Sequence, residues 1–365
     1  MTLSDYHKVL DKWLYIEDDK VVDIFLAAVV ANQFSGPSLS MHIVGPPSSG
    51  KTQLISSFQW YDKVYHLSTL TPQAFASGFK GNLGLLNRMN EEGKNIIMLK
   101  DFTSILSMRS EARNEIIGAI REIADGYYSK SAGGPVKEIA WRGKIGFISG
   151  VTQAIEAAHA ISQQLGERFI IVRLKQNHPM QQAKKSQESD GLEDQMNLEI
   201  SDACRLLFNS LNFNLPPIDD ITSDWILRVA SYISFCRTPV PRNHFKEVEY
   251  LADTESPARL GKQLRQIYRG LIVLGVNNPI PHLRLIAHDS IPAIRYKILH
   301  YLWCEHDYTP TDATTIAADI SFPKSNLYKY LEDMYMIGML NQINENPYKY
   351  RISDVLGGYL SDGLF

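Results

Sequence analysis

Residues Met41 to Thr52 read MHIVGPPSSGKT, and the fold is decided there. Met41, Ile43 and Val44 form a short apolar run of the kind buried in a parallel sheet. The run enters GPPSSGKT directly, which satisfies G-x-x-x-x-G-K-[ST] at Gly45 to Thr52. A triphosphate needs many N–H donors close by, and a backbone approaches that closely only where side chains are absent. Gly45 and Gly50 supply that room. The loop Gly45, Pro46, Pro47, Ser48, Ser49 and Gly50 is therefore expected to cradle phosphate. Lys51 is expected to reach the β- and γ-phosphates, and Thr52 to hold Mg²⁺. Gln53 continues the cradle into the helical segment QLISSF. The predicted ligand is ATP with Mg²⁺.

Downstream, Asn95 to Leu99 is a second apolar run, and it ends at Lys100-Asp101-Phe102. An acid at the C-terminal edge of a buried strand, after such a loop, reads as the Walker B carboxylate that orders the metal's water shell. Asp101 takes that part, as a metal and catalytic residue beside Thr52 and Lys51. Hydrolysing sites usually carry glutamate next, as the base for water, and here Phe102 stands in its place. Glu111, Glu115 and Glu122 follow on a helical segment, and the spacing does not select among them.

Tyr127 to Trp141 carries a hairpin pattern around Ala132-Gly133-Gly134-Pro135, with Lys130 and Lys137 near the tip. Lys144 to Ser149 is a third buried strand leading to Thr152, and Ile170 to Leu174 is another, preceded by Arg168. Upstream, Asp5 to Asn32 reads as two helices, the second apolar on most faces, followed by the breaker FSGPSLS.

This order of parts resembles an AAA+ ATPase, from Asp19 to Leu274. The hairpin before the Thr152 strand and the GERF context of Arg168 resemble the branch of minichromosome-maintenance helicases and their self-loading relatives on mobile elements. The resemblance implies a parallel sheet sandwiched by helices, with Thr152 as sensor 1. It implies that Arg168 reaches the γ-phosphate of a neighbouring subunit in a ring-forming homo-oligomer. It also implies that the hairpin, with Lys130 and Lys137, meets DNA in a central pore. Lys175 to Asn197 is polar and reads as a linker or loop. Helical patterns follow to Leu274, and ESPARLGKQLRQIYRGL resembles the lid helix that carries a sensor-2 arginine. Arg259 occupies the matching start, and Arg265 is the alternative.

After the turn-rich VNNPIP, three helical patterns precede strand-like runs at Leu340 to Ile343 and Tyr348 to Ile352. This tail resembles a winged helix-turn-helix. Its third helix would offer Lys324, Ser325, Asn326, Tyr328 and Lys329 to DNA, and the wing Lys349 and Arg351. The expected division is 1–178 for the α/β nucleotide-binding domain, 179–275 for linker and helical lid, and 276–365 for the winged helix.

Composition limits the alternatives. At 365 residues, 44% of them hydrophobic and 21% charged, the chain has enough apolar material for more than one core. Net charge is −3, so contact with nucleic acid must come from local basic patches. The apolar run Val21 to Ala31 is interrupted by Asp23 and falls short of a membrane span. The acidic start, Met1 to Asp19, does not suit a leader peptide. Cys204, Cys236 and Cys304 are far apart, as expected for reduced thiols in a cytoplasmic protein. The preferred reading is an oligomeric DNA-dependent motor of a mobile element or phage. Two others stay open. One is a nucleotide-gated assembly protein that works with partner proteins and hydrolyses weakly, such as a helicase loader or defence-system ATPase. The other is an ATP-regulated DNA-binding protein.

Overall fold

The computed structural model describes residues 1–75, 84–131, 138–157, 168–243, 245, 247–306, 308–343, 346–361, 363 and 364. They form two compact units, Met1–Ile218 with Lys262–His282, and Asp219–Gly261 with Leu283–Phe365.

The first unit is built on a parallel sheet. β1 (Ser40–Val44) pairs with β6 (Gly146–Val151) on one side and β7 (Phe169–Arg173) on the other. β3 (Ile96–Leu99) follows β6, and β2 (Val64–Leu67) forms the far edge. The order is β2-β3-β6-β1-β7. Every residue of β1, β3 and β6 is buried; β3 is wholly apolar, and the polar Ser40, His42 and Ser149 of β1 and β6 are hydrogen-bonded inside. β4 (Tyr127–Ser131) and β5 (Glu138–Arg142) make the expected antiparallel hairpin, pairing Tyr127 with Arg142. Its foot is buried through Tyr128 and Trp141.

Helix Asp19–Ala31 is buried along almost its whole length, as its apolar faces require. Helix Ala258–Val273 comes very close to it. A Cβ on Gly270 would stand 2.6 Å from the Ala27 carbonyl oxygen, so only glycine fits there. Asn32 then fixes the entry to β1. Its Oδ1 accepts from Leu39 N, and its Nδ2 donates to the carbonyls of Ala28 and Leu39, each at 3.0 Å. The stretch expected to be a linker, 175–197, instead carries helix Pro179–Glu188 and the start of helix Glu193–Asn209.

The second unit contains helix Asp220–Arg237, helix Ala293–His300 with a π-helical turn at Tyr301–Glu305, and helices Ala313–Asp319 and Lys324–Met336. β8 (Thr311–Asp312), β9 (Leu340–Ile343) and β10 (Lys349–Ile352) form a small antiparallel sheet in the order β8-β10-β9. Helix Asp354–Ser361 closes it. This grouping differs from boundaries at 178 and 275, and the bonds of two arginines explain it. Arg295 donates to the carbonyls of Cys236 and Thr238, each at 2.8 Å, and Arg242 Nη2 stands 2.5 Å from Asp333 Oδ1. Residues 219–242 are therefore tied to the tail. No helix among the described residues is long and apolar enough to cross a membrane.

Candidate functional site

The C-terminal ends of β1, β6 and β3 lie side by side and carry Gly45–Thr52, Thr152 and Asp101 respectively. Hydrogen bonds beyond the strands lock these ends together. Gly45 N donates to the Val151 carbonyl at 3.0 Å, Phe102 N to Gly150 at 2.7 Å, and Leu174 N to Val44 at 2.8 Å. Because the chain leaves β1 toward the far edge and returns later to β6 and β7, this is a topological switch point, where open α/β sheets bind ligands.

Gly45 leaves room that a side chain would take, since a Cβ would meet Ser49 Oγ at 2.7 Å and Leu174 Cβ at 3.2 Å. Ser48 and Gly50 have φ of 61° and 86°, a left-handed bend that turns the loop into helix Lys51–Ser56. Pro47, Ser48 and Thr52 are exposed, whereas Ser49 and Gly50 are buried. Lys51 Nζ folds back into the loop and donates to Gly45 O at 2.8 Å, Pro46 O at 2.6 Å and Ser49 Oγ at 3.1 Å. Burial holds its ammonium below the ordinary lysine value, and the Asp101 charge opposes that shift. Gln182 of helix Pro179–Glu188 donates to the Ser48 carbonyl, so a third segment touches the loop.

Asp101 is exposed, and its Oδ1 accepts from Thr103 N at 2.8 Å. Thr103 Oγ1 in turn donates to Thr152 Oγ1 at 3.2 Å and accepts from Thr152 N at 3.1 Å. Thr103 thus ties the two expected site residues together. Sequence reading passed over it, although Asp followed two residues later by Thr is an Asx-turn signature.

Phe102 points away from the site. It is 2% exposed and packs on His42, which stacks on Phe169 at 4.1 Å. Of the three candidate bases, Glu115 is paired with Lys130 at 2.5 Å, and Glu111 and Glu122 are exposed. Arg168 does not project outward. It is buried, with Nη2 at 2.6 Å from Asp125 Oδ2 and Nε donating to the Arg121 carbonyl. An arginine beside GERF was expected to reach out of its own subunit, and in this conformation its own helix end holds it. Arg173, one strand length on, pairs with Glu156 at 2.6 Å.

Arg259 belongs to the second unit, 3.9 Å from Glu255, whereas Arg265 falls in the first. Lys324, Asn326 and Lys329 are exposed on helix Lys324–Met336, and the Lys324 ammonium lies 5.8 Å from the Tyr328 ring centre. Lys137 and the hairpin tip lie outside the described residues.

The fit to a magnesium nucleotide rests on the loop itself. Its backbone space at Gly45 would be filled by any Cβ, and Lys51 and the exposed Thr52 stand at its end. No group of three or more His, Cys, Asp or Glu side chains suited to a metal occurs among the described residues. Such a cage is unnecessary for Mg²⁺ that is held largely by phosphate and water. The sequence matches no protein-family model and no curated protein.

Proposed function

We propose that this chain is a Mg²⁺·ATP-dependent P-loop ATPase of the AAA+ kind, with a C-terminal winged helix, acting on DNA as an oligomer. The observation that carries the reading is the adjacency of Gly45–Thr52, Thr152 and Asp101 on neighbouring strand ends of one parallel sheet. Lys51 would exchange the Gly45 and Pro46 carbonyls for phosphate oxygens, which are stronger acceptors because they are charged. The Thr52 hydroxyl and the Asp101 carboxylate would hold Mg²⁺ and its water, with Thr103 keeping Asp101 and Thr152 in register. Bound Mg²⁺ supplies charge neutralisation at the β- and γ-oxygens. Lys130, Lys324, Asn326 and Lys329 are the contacts offered to DNA.

A second reading, a nucleotide-gated assembly protein with weak hydrolysis, is favoured by Phe102. Its burial leaves the position after Asp101 without a base. ATP turnover with and without single-stranded DNA, measured for wild type and Lys51→Ala, tests both. DNA-stimulated turnover that Lys51→Ala abolishes supports the motor, and slow turnover in both conditions supports the gated protein. Unchanged ATP affinity of Lys51→Ala by calorimetry would refute the nucleotide site itself.

A further inference from the structure

A cleft of about 430 Å³ opens beside the loop helix, lined among others by Thr52, Gln53, Ser56, Lys100, Asn197 and Ser201. Its walls come from helix Lys51–Ser56, the end of β3 and helix Glu193–Asn209, all within the first unit. The lining consists of hydroxyls, amides, one lysine and one leucine, and it contains no carboxylate.

Lys100 is the unusual member. Near the C-terminal strand ends, Lys51 is satisfied by backbone carbonyls and Arg173 by Glu156. Lys100 is half-buried as a residue, and its ammonium has neither an ion pair nor a side-chain hydrogen bond among the described residues. Its field is felt nearby. Burial foremost, and then the charges of Lys100 and Lys94, hold the His66 imidazole below its ordinary value.

A cation among hydroxyl and amide donors, with no acid in the cleft to neutralise it, is suited to an oxyanion. Position narrows the class. The cleft begins at Thr52, the residue assigned to Mg²⁺, and Lys100 adjoins Asp101 in the chain. We propose that this cleft binds inorganic phosphate through Lys100, and that it receives the phosphate released by ATP hydrolysis. The second half rests on the ATPase reading. In that reaction the oxygen of water bonds to the γ-phosphorus, and the bond from γ-phosphorus to the bridging oxygen breaks. The bridging oxygen stays with ADP, one proton goes to solvent, and phosphate leaves on the Thr52 side.

The test uses inorganic phosphate as the probe, titrated by calorimetry into the full chain in the presence of saturating ADP and Mg²⁺. The proteins are wild type, Lys100→Gln, Asn197→Glu and Lys51→Ala. Asn197 is exposed, so its substitution keeps the helix while placing an acid in the cleft. Saturable phosphate binding to wild type, weakened about tenfold or more in both Lys100→Gln and Asn197→Glu, supports the proposal. Binding that survives in both but disappears in Lys51→Ala locates the phosphate in the loop and overturns it, as does no binding to wild type. ATP turnover measured alongside separates the two halves. Phosphate binding in the cleft of a protein that does not hydrolyse ATP keeps the anion site and overturns the product role. Phosphate inhibition of turnover in wild type, relieved in Lys100→Gln, supports both.

Discussion

Replacing Arg168 by alanine distinguishes a structural ion pair from an arginine that works across a subunit boundary. The pair with Asp125 has one partner 10% and the other 42% exposed, at 2.6 Å. Removing one member of a fully buried pair costs about 3–5 kcal/mol, and an exposed pair contributes about 0–1 kcal/mol. Here the Coulomb part is screened on the Asp125 side, while the charge-assisted bond and the packing of the arginine stem are not. The expected loss for Arg168→Ala is therefore about 1–2 kcal/mol, or about 2–8 °C in the melting of a unit of this size. Asp125→Asn keeps an acceptor for the guanidinium and should cost less. Urea denaturation of both single variants and the double variant gives the coupling, expected near 1 kcal/mol. Purely additive effects, with Arg168→Ala as stable as wild type, would refute the structural account. Mixing then asks the second question. Arg168→Ala combined with Lys51→Ala protein recovers turnover only if the arginine acts on a neighbour's nucleotide. Lowered stability together with recovery would mean that the Asp125 pair parks the side chain. The 1–2 kcal/mol needed to free it is well below the rate effect of an arginine finger, about 10³–10⁵-fold.

Two further outcomes follow from buried groups. Phe102→Ala should lower stability by about 3–5 kcal/mol in urea, because the ring is 2% exposed against His42 and Phe169; Phe102→Glu should unfold the unit and not raise turnover, and a folded, faster Phe102→Glu protein would contradict the packing. The second concerns Asp23, whose Oδ1 and Oδ2 meet His7 Nε2 at 2.7 Å and His282 Nε2 at 2.8 Å. Burial pulls His7 down, but the bond and charge of Asp23, with Asp19 and Asp11, outweigh it and hold His7 above its ordinary 6.5. Burial likewise raises Asp23, and the two histidines outweigh it and hold the acid below its ordinary 3.8. The His7 contribution is complete below about pH 6.5 and lost as pH rises through its raised value; the Asp23 contribution is complete above about pH 4 and lost as pH falls through its lowered value. The urea midpoint should thus fall from pH 6 to pH 8 in wild type and lose that slope in Asp23→Asn, and equal slopes would refute the linkage.

The loop was legible because its chemistry is local. Gly45, Gly50, Lys51 and Thr52 are fixed by spacing within eight residues, and the structure explains each glycine by a contact or a dihedral angle. Asp101 was legible for the same reason, as the end of a buried strand. Its tie to Thr152 was not, because Thr103 and Thr152 are 49 residues apart and meet only when β3 and β6 pair. The fate of Arg168 was equally hidden. Glu167 is its neighbour in sequence, but the acid that holds it, Asp125, is 43 residues away at the end of another helix.

The polar run at 175–197 shows most clearly why local patterns fail. Helix Pro179–Glu188 has no buried side chain, so hydrophobic periodicity gives no sign of it, and a helix this short is marginal on its own. What orders its start is Glu17, whose carboxylate accepts from the backbone of Asn177 and His178 and from the Asn177 amide, 160 residues away for Asn177. What fixes its flank is Gln182 on the Ser48 carbonyl, 134 residues away. A helix held by a few polar bonds and without a buried side chain lies at the low end of local stability, since each bond contributes about 0.5–1.5 kcal/mol. One of those bonds is made to the loop whose own lysine is satisfied by Gly45 and Pro46. A ligand that draws Lys51 off those carbonyls leaves the Gly45 and Pro46 oxygens without that donor, and Ser48 lies two residues on in the same loop. The segment whose sequence reads as a linker is thus attached to the loop expected to hold phosphate.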